Sequence, residues 1–148
     1  MKRILKALAV SLTLAVVLWS VGDVLAQTPE QMQSCGTGMM PGDEIIHFRI
    51  VNKTNDMLTI QVDYRYNPVH GTKVYLGGYL LDASGQVLSL GFFPATAPTM
   101  GQGTAAMQVG FNKQLGRRES TELFIWMYEQ YKGEAFVCRR FPYRAFWQ

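Results

Sequence analysis

Histidine and cysteine are scarce in this 148-residue chain, at two residues each. Catalysis through an imidazole needs a serine or cysteine within reach of a histidine. His47 falls inside an apolar-alternating run and His70 in an NPVHG loop. Ser84, Ser89 and Ser120 show no spacing that joins them to either histidine. G-x-S-x-G, H-E-x-x-H and phosphate-binding glycine loops are all missing. GQGT at 101–104 precedes a strand-like run, not a helix, and reads as a turn. Glu119, Glu122, Glu129 and Glu134 are scattered, with no paired-carboxylate spacing. The chain therefore reads as non-catalytic, with no cofactor and no metal.

A strong charge of either sign is also missing. The formal net charge is +3, and part of it belongs to the N-terminus. There Lys2, Arg3 and Lys6 precede an apolar run from Ala7 to Trp19, and Val24 and Ala26 form a small-residue cleavage site before Gln27. That is the layout of a secretory signal peptide over residues 1–26. The run is shorter than the roughly 20 residues a membrane span needs; retention as an uncleaved anchor is the alternative. Cleavage also removes Asp23 and leaves a net charge of +1. Nucleic acid is then an unlikely partner. No stable membrane span is expected after cleavage, and the destination is periplasmic or extracellular.

The remaining chain suffices for one core. Its two cysteines are Cys35, in the stretch QSCGTGMM, and Cys138. A lipid anchor would place a cysteine at the cleavage point, which Cys35 is not. Met32, Cys35, Met39 and Met40 are soft ligands of the kind that hold Cu(I), but methionine is equally an ordinary apolar filler. An even cysteine count in an exported chain favours a Cys35–Cys138 disulfide.

Residues 27–43 read as irregular, and residues 44–148 as a run of short β-strands. IIHFRIVN (45–52) sets His47 and Arg49 against Ile46, Phe48 and Ile50. MLTIQVDYRY (57–66) is the clearest alternation, with Leu58, Ile60, Val62, Tyr64 and Tyr66 on one face. KVYLGGYLL (73–81) ends at a DASG turn signal, and a fourth run covers 86–93. TAAMQVGFN (104–112), LFIWMYE (123–129) and residues 135–147 complete the set, with KQLGRREST (113–121) as a polar connection. Asn52-Lys53-Thr54 is a glycosylation sequon, relevant only to a eukaryotic secretory route. Arg140 and Pro142 in the last run are incompatible with an unbroken central strand and predict an edge position or a bulge.

Seven such strands argue for a single antiparallel β-sandwich. In strand count and spacing, from Asp43 to the end, the pattern resembles immunoglobulin-like and fibronectin-type-III-like modules. It departs from them in lacking a tryptophan in the third strand and in placing Cys35 before the first. The resemblance implies that the third and sixth strands are neighbours. With Val74, Leu76, Leu80, Leu123, Ile125 and Met127 on the core side, Tyr75, Tyr79, Phe124, Trp126 and Tyr128 share the other face. That face is expected to be an aromatic binding patch, unless residues 27–43 cover it. The function this suggests is an exported binding or structural module whose partner is another envelope or extracellular protein, or a second copy. A glycan-binding module, a Cu(I)-binding periplasmic protein and a small secreted enzyme are the alternatives.

Overall fold

A computed structural model describes residues 35–132 and 134–148. The signal segment and residues 27–34, including Met32, lie outside them. Eight strands form: β1 (Glu44–Lys53), β2 (Met57–Arg65), β3 (Val74–Leu81), β4 (Ser89–Phe93), β5 (Ala95–Thr96), β6 (Gln102–Phe111), β7 (Arg118–Glu129) and β8 (Ala135–Trp147). They make two four-stranded antiparallel sheets, β1-β2-β6-β4 and β5-β3-β7-β8, packed as a β-sandwich. The first order is that of strands A-B-E-D in a constant-type immunoglobulin sandwich, and β3-β7-β8 is that of C-F-G. The two-residue β5 is an addition at the edge of the second sheet.

The core follows from period two. In register, Leu58 pairs with Val109, Ile60 with Met107 and Val62 with Ala105, and all six are buried. They face Val74, Leu76, Leu80, Leu123, Ile125 and Met127 of the second sheet in one cluster. Tyr64 is buried too, and its hydroxyl donates to the Thr99 carbonyl at 2.7 Å, so its polar end is satisfied inside the core.

Two local expectations need correction. The polar 113–121 connection is only partly a connection, because β7 begins at Arg118. Its first turn of sequence lacks apolar alternation because Arg118 and Glu119 sit near the exposed end of the sheet. In β1, register shifts between Ile45 and His47 and between Ile50 and Asn52 interrupt the alternation. Ile45 is therefore the buried residue and Ile50 is exposed.

β8, by contrast, meets the expectation made for it. It is an edge strand that runs through Pro142, with a register shift where Ser120 pairs Ala145 but Glu122 pairs Pro142. Edge position and bulge thus both occur at the place Arg140 and Pro142 require. A second shift, between Met127 and Tyr128, was not legible: it puts both Phe136 and Val137 into the core and turns Cys138 to the outer face. Arg139 lies across the gap between sheets, its Nη1 donating to the carbonyls of Ile45 and Ile46 at 2.8 Å each. These are the carbonyls next to the β1 bulge, where the ladder is interrupted.

Candidate functional site

Two places in the molecule gather side chains that a plain sandwich would not need. The first is the outer face of β3 and β7. Tyr75 pairs with Tyr128, Gly77 with Trp126 and Tyr79 with Phe124, so the five aromatics do share one face. The Tyr75 and Tyr128 rings stack at 5.7 Å, and Trp126 packs on Tyr79 at 4.8 Å and on Phe124 at 5.6 Å. Gly77 makes this possible, because a Cβ there would fall inside the Trp126 indole.

Of the two alternatives for this face, open or covered, the burial of its rings fits the covered one. Trp126, Tyr79 and Phe124 are only 0%, 3% and 5% exposed, and with Leu81 and Ala135 they form a second apolar cluster. Only Tyr75 and Tyr128 are half-buried. The guanidinium of Arg140 lies 5.7 Å from the Phe124 ring and pairs with Glu122 at 3.1 Å, closing the face at the β8 side. Burial pushes the Tyr79 and Tyr128 hydroxyls up to about 12, with the neighbouring Tyr75 adding to the shift at Tyr128. Trp126 and Trp147 are both buried, so neither offers an indole for a sugar to stack on.

The disulfide joins Cys35 to Cys138, whose Cα atoms are 6.0 Å apart. It attaches residues 35–43, the N-terminal arm, to the outer side of β8, beside Trp126 in the ladder. With its thiol in this bond, Cys35 is no thiolate ligand, which removes the strongest member of the proposed Cu(I) set. Among the described residues no group of three or more His, Cys, Asp or Glu is arranged to hold a metal ion.

The second place lies at one end of the sandwich, where the arm meets the β2–β3 turn and the β7–β8 hairpin. His70 closes a short 3-10 turn, Pro68–His70, capped by the Asn67 side chain. Its Nε2 is 2.8 Å from Asp43 Oδ2 and its Nδ1 is 2.7 Å from Glu129 Oε1. The side chains of His70 and Asp43 are 4% and 0% exposed, and that of Glu129 is 21% exposed. The imidazole stacks on Phe136 at 3.8 Å. Asp43 also accepts from the backbone amides of Asn67 and Met40, each at 2.7 Å. Burial alone would raise Glu129, but hydrogen bonds from Lys132 and His70 outweigh it and hold the carboxyl below its ordinary value.

Sequence reasoning treated His70 as a turn residue, which it is, and missed its two carboxylates. They lie 27 and 59 residues away. The one available signal was a scarce histidine beside a predicted turn.

Around this cluster the same end displays apolar side chains. Met39, Met40, Val69, Met100 and Tyr131 are all exposed. The arm carrying Met39 and Met40 reaches the β2–β3 turn through Asp43 and Asn67. The loop carrying Met100 reaches the end of β2 through the Tyr66 amide on the Gly101 carbonyl, at 2.7 Å. Tyr131 stands at the tip of the β7–β8 hairpin with φ of 66°, alone among the described non-glycine residues in the left-handed region. At the opposite end a cleft of about 250 Å³ is lined by Asn55, Arg117, Phe146, Trp147 and Gln148.

No protein-family model matches this chain, and neither a curated protein nor a solved structure matches it. Among the described residues no helix is long and apolar enough to cross a membrane.

Proposed function

We propose that this chain is an exported, non-catalytic β-sandwich that binds another envelope or extracellular protein, and that it does so through the loop end and not through the aromatic sheet face. The observation that carries this reading is Tyr131. It is 92% exposed and holds a backbone conformation that costs an aromatic residue roughly 1–3 kcal/mol. Tyrosine combines a large rigid contact area with a polar tip and is enriched where interfaces concentrate their energy. In the sandwich order found here, the β7–β8 hairpin and the β2–β3 turn correspond to the F–G and B–C loops, which cluster at one end in immunoglobulin-like modules. Export rests on the signal-like N-terminus and agrees with the disulfide.

A photo-crosslinking side chain at position 131, in the cell that makes the protein, tests the reading. One discrete adduct is expected at 131 and none at Gln108, which is exposed on the outer face of the other sheet. Tyr131→Ser combined with Val69→Ser should abolish capture of that partner while changing stability by no more than about 0.5 kcal/mol per site. The same adducts from both positions, or none from 131, would refute it.

A further inference from the structure

The His70 cluster sets each nitrogen of one buried ring against a different carboxylate. A neutral imidazole has one N–H and can donate one hydrogen bond. Here each ring nitrogen lies at hydrogen-bond distance from a carboxylate oxygen. Asp43 acts as an acceptor throughout, taking two backbone amides as well as the ring. Both ring contacts are hydrogen bonds to carboxylates only when the ring carries two protons. The cation is then flanked by two anions and a flat aromatic face, and the bond to Asp43 is shut off from bulk water.

We propose that His70 is a proton-operated latch for the N-terminal arm, closed while its imidazole carries two protons and loosened when it loses one. The charged and titratable groups around it come from every element packed there. Asp43 is on the arm, Glu129 at the end of β7, and Lys132 in the hairpin, 2.7 Å from the second oxygen of Glu129. Tyr66 at the end of β2 lies edge-on to the imidazole at 6.4 Å, with its hydroxyl donating to the Gly71 carbonyl. Arg65 and Glu44 pair with each other at 2.9 Å on the exposed side of the arm.

The sign of the effect follows from this set. With the ring protonated, one imidazolium and Lys132 balance the two carboxylates. Loss of the ring proton as pH rises removes one hydrogen bond and leaves two carboxylates on either side of a neutral ring. The neutral ring keeps one N–H, so only one of the two carboxylates retains its ring donor, and in the tautomer protonated at Nδ1 Asp43 is a buried anion held by the Asn67 and Met40 amides. Its position carries the arm, because the Asn67 amide on Asp43 ties the arm to the β2–β3 turn. The disulfide at Cys35 keeps the far end of the arm attached, so the change is a local opening and not unfolding. The latch does not rest on the binding proposal above: its readout is internal, and it can hold or fail whatever Tyr131 contacts.

Hydrogen exchange of the Asn67 and Met40 amides reads the latch directly, since both donate to Asp43. From about pH 5 to about pH 9, the range spanning histidine titration, rates corrected for intrinsic exchange should show protection falling on the alkaline side. The expected loss is roughly tenfold to hundredfold, as for one hydrogen bond to a charged group. The Ile60 amide, in the middle of β2, should not change. In His70→Gln the two amides should exchange fast at every pH, with no step. Where that variant does not fold, nitrogen NMR of the wild-type imidazole across the same pH range decides. Two protonated ring nitrogens that give way to one over the pH interval where protection falls support the latch, and a ring whose protonation does not change with the protection overturns it. Flat protection across the pH range, or a step that survives in His70→Gln, also overturns it.

Discussion

On its inner face β7 sends Leu123, Ile125 and Met127 into the space between the sheets, where they meet side chains from both sheets. On its outer face the same strand carries Phe124, Trp126 and Tyr128, and the first two are buried just as deeply. The inner layer is closed by a whole opposing sheet. Among the described residues the outer layer is closed by side chains of its own sheet together with Val87 and the arm. Trp126 lies flat over Gly77, Arg140 covers Phe124, and Cys138 packs beside them with the arm bonded to it. Among the described residues, one glycine that lets a ring lie on the backbone and an edge strand whose side chains reach across both contribute to that closure.

That contrast can be broken from the outer side first. Reducing the Cys35–Cys138 bond, which spans 103 residues of sequence, should lower stability by about 4–5 kcal/mol in the chain-entropy account. A free-thiol assay with a denaturant titration measures it, and β2 should keep its hydrogen-exchange order relative to the other strands. Next, Trp126→Ala should cost about 3–5 kcal/mol, the loss of a core aromatic, against the roughly 0.5 kcal/mol of an open surface position. Ile125→Ala, one residue away on the inner face, should cost about 2–5 kcal/mol. Chemical denaturation of the two variants side by side tests whether the layers are energetically alike. A near-neutral Trp126→Ala would restore the reading of this face as an open patch.

Smaller changes sharpen the comparison. Gly77→Ala should destabilise by about 1–3 kcal/mol through overpacking, and its tryptophan emission should shift as the indole is pushed off the backbone. The inner layer should not register this substitution, so Ile60 amide protection should fall only in step with global stability. The least effect belongs to Arg140→Ala. It removes a ring contact and an exposed ion pair with Glu122, and its thermal shift should correspond to no more than about 1 kcal/mol.

Much of this was readable before any coordinates. Leu58, Ile60, Val62 and Tyr64 alternate without a break, and they are the buried face of β2. The parity of β3 and β7 put five aromatics on one face, because side-chain direction in a strand is a local property with period two. The break near Pro142 was legible because proline lacks an amide and a buried unpaired arginine is too costly. The first turns of β7 were not legible, since a strand with a solvated end has no apolar rhythm to detect. The bulge at Phe136 was hidden for the opposite reason: Phe136 and Val137 are both apolar, so either could have faced the core.

By itself the sequence determined an antiparallel sandwich, the inner faces of its strands, and the disulfide, since only two cysteines are present to pair. Those features follow from local periodicity and from counting. The tertiary structure decided whether the aromatic face was open or closed, and it gave His70 two carboxylates. Both outcomes depend on contacts between segments far apart in the chain, whose meeting is set by strand order and by the path of the arm. No local pattern encodes that Asp43 and Glu129 each come within 2.8 Å of a ring nitrogen of His70. The reason is that charge pairing in a buried site is a property of the place, and the place exists only after the sheets have closed.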